Sequence, residues 1–578
     1  MSAPIDINVT SATSSVPASY KGRHYGFIEK QIPAWYKKMR PGRQQELHTA
    51  PWQVGQWYTG AAPALRSRLH NRHEVFRTAL DDLEATLANL QDVRAFCAPL
   101  LAQAITEHFG QTLDVNQVSF ARKFRRGVAG ESSLGGLLVF QTGNEWQADD
   151  FYIGTSLLHA ALGNFEAVDA RRSECEDCRV ITRFNFNQGD IQPDRAAVLG
   201  QRVAIEPHAF AQLCRELDLG RRYQEHLKAV LAPADPAQAI RLRDQVRDSQ
   251  QQMLAVYTQV GYMQRAVAPG SEGGLGDDTY RMLQETLSGN TQVRIKDRPV
   301  VYSELKVLGV PMSGILLIGP ERDDSTRVEP LLVYIPGDPL QPLREYDSSS
   351  AFMVDLRERL HGFQYRRFFS RFVPLGQQGE FFAALQRQLD PQLHHDKGDD
   401  FTPLPKRLPL HIEDVPIQGP LWSYLAQAQL NKMLTDARAV AVATADADTL
   451  ALIKHLEGFA NTVMDVLNLA AFWVPGLGAL MMAVGAGQLA STVFEGIEDW
   501  EDGQTRQMWA HFSSVLLNLG AVATGAVVLP AVRTTPFVEG MQVVETAEGQ
   551  SRLWNPSIDA YEHPINLTPT SYPNAEGL

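Results

Sequence analysis

Two stretches without a charged side chain constrain this chain more than anything else in it. Val466 to Phe494 reads VLNLAAFWVPGLGALMMAVGAGQLASTVF, and Phe512 to Val532 reads FSSVLLNLGAVATGAVVLPAV. The connector between them opens with EGIEDWEDG, which puts Glu495, Glu498, Asp499, Glu501 and Asp502 close together. The pattern predicts a helical hairpin with apolar arms and an acidic tip.

A membrane span needs about 20 predominantly apolar residues. Pro475, followed by Gly476 and Gly478, breaks or kinks the first arm, because proline lacks an amide donor and clashes with the preceding turn. What remains, up to Phe494, is close to one membrane thickness but is built largely of Gly, Ala, Ser and Thr, with Gln488 inside it. The second arm has the same character and ends at Pro530. Small residues four apart, Ala483 with Gly487 and Ala521 with Gly525, let two helices approach closely. Three arrangements fit these features. A permanent span is disfavoured by the weak hydrophobicity. A helix apolar all round also suits the centre of a large helical domain. The third is a hairpin buried in the soluble form and inserted on a trigger. Ionised tip carboxylates oppose passage through hydrocarbon, and crowding raises carboxylate pKa values, so mild acid is the expected trigger. The residues assigned to insertion are Trp473, Pro475, Gly476, Gly478, Gly485, Gly487 and Pro530.

With 578 residues the chain exceeds a single core, and about three or four domains are expected. Its 44% hydrophobic and 21% charged residues support several packed cores. We divide it into a disordered polar tail (1–20), an aromatic helical segment holding Trp35, Tyr36, Trp52, Trp57 and Tyr58 (21–62), and a helical domain (63–275). A β-rich subdomain (276–345), a helical region (346–450), the hairpin (451–535) and a C-terminal linker (536–578) follow. From Pro63 apolar residues recur at three- and four-residue steps until Gly110, which caps the run. Short strands are expected near Leu137 to Gln141 and in VITRFNFNQGDI. From Gln292 the period changes to alternation, with β-branched residues in runs closed by Gly and Pro. The fold class is mainly α and multidomain, with a small β-rich subdomain and an apolar helical hairpin near the C-terminus.

The net charge of -13 argues against broad nucleic-acid binding, which needs a basic footprint. The segment HGFQYRRFFSRF is the exception, interleaving Arg366, Arg367 and Arg371 with five aromatics. It suits either lipid headgroups or a core helix whose arginines are solvated. Cys175 and Cys178 stand as Cys-x-x-Cys, but no second pair stands at zinc-ligand spacing, so a thiol pair is expected and no metal. Four cysteines in all suit a protein that does not rely on disulfides. The Gly-rich stretch Gly270 to Gly276 has no strand before it and no Lys-Ser/Thr after it, so it is a loop rather than a phosphate cradle. His394, His395 and Asp396 are adjacent in sequence and point apart on a helix. Asp338 in YIPGDP reads as a turn carboxylate before a catalytic one, and Cys214, near His208 and His226, as a buried cysteine before a nucleophile. No Gly-x-Ser-x-Gly, His-Glu-x-x-His or Walker loop is present, and no cofactor is expected. The N-terminus has no basic start followed by an apolar segment, so export would use a specialised route rather than an ordinary secretory signal.

Several stretches together carry a resemblance: WYKKMRPGRQQEL, LLHAALGNF, LCRELDLGRRYQEHL, LLVYIPGDPLQPLREYDSSSAF, FFSRFVPL, LTDARAVAVATADAD and VPGLGALMMAVGAGQLASTVFEGIEDWEDG. The chain resembles the dermonecrotic toxin N-terminal-like family, found at the front of large bacterial toxins and effectors. The resemblance implies a non-catalytic delivery module ahead of a variable toxic domain, in some relatives a leucine-rich-repeat ubiquitin ligase. It supplies no catalytic residues. The ending from Gln550 to Leu578 resembles a linker after which relatives continue. The implied setting is secretion from a bacterium, then a host membrane or endosome, with a membrane, a host or secretion-machinery protein and a downstream toxic domain as partners. The alternatives are an interaction scaffold with a permanently buried hairpin and, last, a self-contained effector enzyme.

Overall fold

The computed structural model describes residues 25–39 except 33, 56–125, 139–140, 150–171 except 168, 178–182, 202–321 except 272, 328–389 and 410–444, and 541–554 in part. The chain divides into two compact units, Met1–Arg66 with Ala479–Leu578, and Ser67–Gly478.

The described residues of the first unit form α1 (Tyr25–Gln31), α2 (Ala34–Lys38), α3 (Gln56–Thr59) and the start of α4 (Pro63–Thr86). Trp35, Tyr36 and Tyr58 are buried, so these aromatics of the N-terminal cluster form core rather than a ligand platform.

The second unit carries the rest of α4 and then α5 (Val93–Phe109), β1 (Ser119–Arg125), β2 (Val139–Phe140), β3 (Asp150–Ser156), α6 (Leu157–Gly163) and β4 (Arg179–Ile181). The long helical run ending at Gly110 is therefore two helices. Asp92 starts the second by accepting from the amides of Arg94 and Ala95, and Gly110, at φ 65°, ends it. Strands β1 to β4 form an antiparallel sheet in the order β2-β3-β1-β4. Of these, β2 falls in the first expected strand, and the edge strand β4 overlaps the start of the second, whose remainder lies outside the described residues.

Helices α7 (Pro207–Leu217) and α8 (Leu219–Leu231) come from one apolar-periodic sequence, broken at Asp218. That residue stands at φ 47°, a left-handed conformation that Asp tolerates better than most residues. It closes α7 and, by accepting from the Arg221 amide, starts α8. Next comes α9 (Pro236–Val267), buried nearly all round from Met253 to Met263, which places it at the centre of the packing. It packs against the following helix, α10 (Asp277–Leu287).

The alternating region folds into β5 (Arg294–Ile295), β6 (Arg298–Val307), β7 (Val310–Pro320), β8 (Leu331–Tyr334) and β9 (Leu343–Tyr346). Tight turns at Lys296-Asp297 and Leu308-Gly309 have positive φ at both central residues, matching the right-handed twist of the strands they join. Helices α11 (Ser349–Leu360), α12 (Phe363–Phe369) and α13 (Gln378–Leu389) follow, then β10 (Ile412–Pro416) and α14 (Leu421–Val440). The sheet runs β10-β6-β7-β8-β9, with β5 on β6. Leu305, Val307, Ile315, Leu317 and Val333 on one face share a core with Phe352, Leu356, Phe369, Phe381 and Leu385 of α11 to α13. On the other face α14 contacts β7 and Tyr334 meets Tyr257 of α9. Helices on both faces explain why all four residues of β8 are buried. A hairpin of β11 (Gln542–Glu545) and β12 (Ser551–Trp554) belongs to the first unit.

The architecture is mainly helical with a small β-rich part, as the periodicity predicts. The apolar hairpin lies outside the described residues, as do its insertion residues Trp473, Pro475, Gly476, Gly478, Gly485, Gly487 and Pro530. The same holds for the acidic tip, Glu495, Glu498, Asp499, Glu501 and Asp502. Among the described residues no helix is long and apolar enough to cross a membrane.

Candidate functional site

The basic-aromatic segment forms α12 and the 3-10 turn Ser370–Phe372. Its aromatics point inward: Tyr365, Phe368, Phe369 and Phe372 are buried, and Phe369 stacks on Phe381 of α13. Phe363 is the exception, 68% exposed. The three arginines do not share a face. Arg366 donates to Gln386 Oε1 at 2.9 Å, Arg367 is exposed, and Arg371 lies over the Phe368 ring at 4.3 Å. The segment is thus a core helix first.

Beneath it sits a polar knot. Gly337, at φ 70°, turns the chain so that the fully buried carboxylate of Asp338 meets its own loop. Oδ1 accepts from the amides of Leu340 at 2.8 Å and Gln341 at 2.9 Å. Oδ2 accepts from the Tyr365 hydroxyl at 2.6 Å and Arg359 Nη1 at 3.2 Å. The Arg359 Nε also reaches Asp355 at 2.8 Å, which accepts from Tyr346 at 2.5 Å and Arg344 at 3.2 Å. Burial pushes the Tyr365 and Tyr346 hydroxyls up, and the neighbouring carboxylates push them further, so both remain donors. Four donors fill the lone-pair positions of Asp338. It ties the β8–β9 connection to α11 and α12 and has no free site for base catalysis.

The other nominated groups that lie among the described residues form no catalytic arrangement either. Cys214 is free and buried, and burial raises its thiol well above the ordinary range. His226 instead accepts from the Gln91 amide at 3.2 Å and stacks on Phe96 at 4.6 Å. Cys178 is disulfide-bonded rather than one of a pair of thiols. The Gly-rich stretch is a loop whose end, Gly276, starts α10 and donates to Glu345. His394, His395 and Asp396 lie outside the described residues. No group of three His, Cys, Asp or Glu suited to a metal ion occurs among the described residues.

One feature escaped the sequence reading: how the chain is held as it leaves α14 toward the apolar stretch. Residues Val440 to Ala443 are buried, and six hydrogen bonds grip Ala441 to Thr444. The Val442 amide donates to the Leu162 carbonyl at 2.8 Å. Asn164, closing α6 at φ 57°, donates to the Val442 carbonyl at 3.2 Å and to Thr444 Oγ1 at 3.0 Å. The Thr444 amide donates to Asp218 Oδ1 at 3.0 Å, and its hydroxyl to the Arg215 carbonyl at 2.9 Å. Gln224 Nε2 donates to the Ala441 carbonyl at 3.0 Å. The backbone passes so close to α8 that a Cβ on Gly220 would stand 2.2 Å from the Val442 carbonyl. Two helix ends, at Asn164 and at Asp218, thus form a clamp. Polar residues after the apolar runs LLHAALG and LCREL were the available signal, but nothing local named their partner.

The family model described as the dermonecrotic toxin N-terminal domain matches residues 87–376, just over half of the chain. No curated protein matches it.

Proposed function

The chain belongs to the dermonecrotic toxin N-terminal domain family, and from that premise we propose that it is a non-catalytic delivery module of a secreted bacterial toxin. In this reading the apolar hairpin enters a host membrane, such as that of an endosome, when acid protonates its tip. A host or secretion-machinery protein and a downstream toxic domain are the further partners. The observation that carries the reading is the clamp at Ala441–Thr444. It fixes the chain to α6, α7 and α8 shortly before the charge-free sequence begins at Val466. A body pinned there stays folded while residues beyond it change environment, since local opening is confined to the least-tied segments. The conditional step follows from the tip: carboxylates that are charged at neutral pH and neutral in acid alter the cost of crossing hydrocarbon.

The test is dye release from liposomes as pH falls from neutral to mildly acidic, with the native chain and with Glu498→Lys plus Asp499→Lys. The expected result is release in acid only, suppressed by the lysines, which stay charged throughout that range. Absence of release at every pH, with the chain folded by circular dichroism, refutes the reading and leaves the hairpin as permanent core.

A further inference from the structure

The knot around Asp338 is electrically uneven. Asp338 pairs with Arg359, and Asp355 with Arg359 and Arg344. Arg371, on the turn that packs against β7, has no carboxylate within ion-pair distance among the described residues. Its hydrogen bond there runs from Nε to the Phe368 carbonyl at 3.1 Å. Its guanidinium rests over Phe368 at 4.3 Å and Phe372 at 6.0 Å, and a Cβ on Gly337 would lie 3.5 Å from Nη1. On the inner side, Tyr257 takes a hydrogen bond from the Gly337 backbone and pairs with Tyr334, whose hydroxyl is buried with no hydrogen-bond partner among the described residues. Burial lowers the Arg371 pKa, with Tyr257 and Asp338 pulling it back.

A half-buried guanidinium whose nearby carboxylate, Asp338, is already paired with Arg359 is costly, and contact with ring faces offsets only part of that cost. The Nε is spent on the Phe368 carbonyl and the two rings fix the plane, which leaves the Nη edge as a forked pair of donors. Such a fork matches two oxygens of a phosphate. We propose that Arg371 is the receptor for a phosphate group, carried either by a small soluble anion or by a lipid headgroup. The lipid source rests on the delivery reading above; the phosphate chemistry does not. Arg366 and Arg367 are outside the site, the first because it faces Gln386 and the second because it sits on an exposed position of α12.

The experiment uses the full chain at neutral pH in two arms. Inorganic phosphate is titrated by calorimetry into wild type, Arg371→Gln, Arg371→Lys and, as control, Arg367→Gln. The same proteins are sedimented with phosphatidylcholine vesicles, with and without phosphatidic acid. Wild type is expected to bind phosphate saturably, Arg371→Gln to lose at least about tenfold in affinity, the fold-change of one lost charge-assisted contact, and Arg367→Gln to match wild type. Arg371→Lys keeps the charge without the fork and serves as the folded comparison if the glutamine variant is unstable; it is expected to bind more weakly than wild type. Vesicle capture that requires phosphatidic acid and is competed by phosphate assigns the lipid source. Phosphate binding without vesicle capture supports the site with a soluble source. No saturable binding by folded wild type, or unchanged affinity in both Arg371 variants, overturns the proposal. Phosphate binding at neutral pH requires no movement of the hairpin, so a negative dye-release result leaves this one standing.

Discussion

Gly220→Ala tests the clamp by the sign of its effect. Gly220 is the second residue of α8, and in a helix alanine is favoured over glycine by about 1 kcal/mol. Without a neighbour the substitution would therefore stabilise. In the folded chain, however, the new Cβ would stand 2.2 Å from both the carbon and the oxygen of the Val442 carbonyl and 2.4 Å from the Ala443 nitrogen. These are backbone atoms of a buried segment, so that segment must retreat by roughly 1.5 Å to reach ordinary contact. Overpacking of this kind costs about 1 to 3 kcal/mol. A retreating segment also loosens the bonds to Leu162, Asn164, Asp218 and Arg215, each worth about 1 kcal/mol. Losing two of them and subtracting the helix gain gives a net destabilisation of about 2 to 4 kcal/mol. Hydrogen exchange resolved over residues 438–446 reads this directly, since opening should become about 30-fold to 1,000-fold more frequent. Exchange that is unchanged or slower in Gly220→Ala would refute the clamp.

Two further outcomes follow from the same geometry. Asp338→Asn removes the charge facing Arg359 at a fully buried position, and should cost about 3 kcal/mol in chemical denaturation; Tyr365→Phe should cost about 1 kcal/mol, and additive effects in the double variant would dissolve the knot. His159 is held neutral by burial, helped by the charge of Arg94, with its pKa lowered to about 4. Its contribution to stability is complete above the unfolded value of about 6.5 and is lost as pH falls toward 4, by at most about 3 kcal/mol. The denaturation midpoint of His159→Gln should therefore fall less between pH 7 and pH 4.5 than that of wild type. Asp81, raised to about 6 by burial against the pull of Arg77, titrates with the opposite sign, so the variant comparison, not the wild-type slope, is the test.

The two kinds of information divide by range. Alternation from Gln292 onward announced the sheet, because a side chain's face is set by its neighbours two residues away. Gly110 announced a helix end, since a left-handed cap there favours glycine. The turn role of Asp338 was legible from YIPGDP, because its Oδ1 bonds are to its own loop. Its second oxygen was not legible, as Arg359 and Tyr365 arrive from helices whose placement depends on the core they share with the sheet. The break at Asp218 was hidden for a similar reason. The apolar period runs through it, and only the docking of Thr444 onto its carboxylate shows what the break is for.

The separation of Arg366, Arg367 and Arg371 lies wholly on the tertiary side. Sequence placed them in one basic-aromatic segment, whereas packing of Tyr365, Phe368, Phe369 and Phe372 turned each toward different surroundings. Sequence alone determined the two charge-free stretches, the acidic connector between them and the family, because each is a property of residues read in order. The tertiary structure alone decided the clamp and the surroundings of the Arg371 guanidinium, because both depend on groups far apart in sequence coming together, which no local pattern encodes.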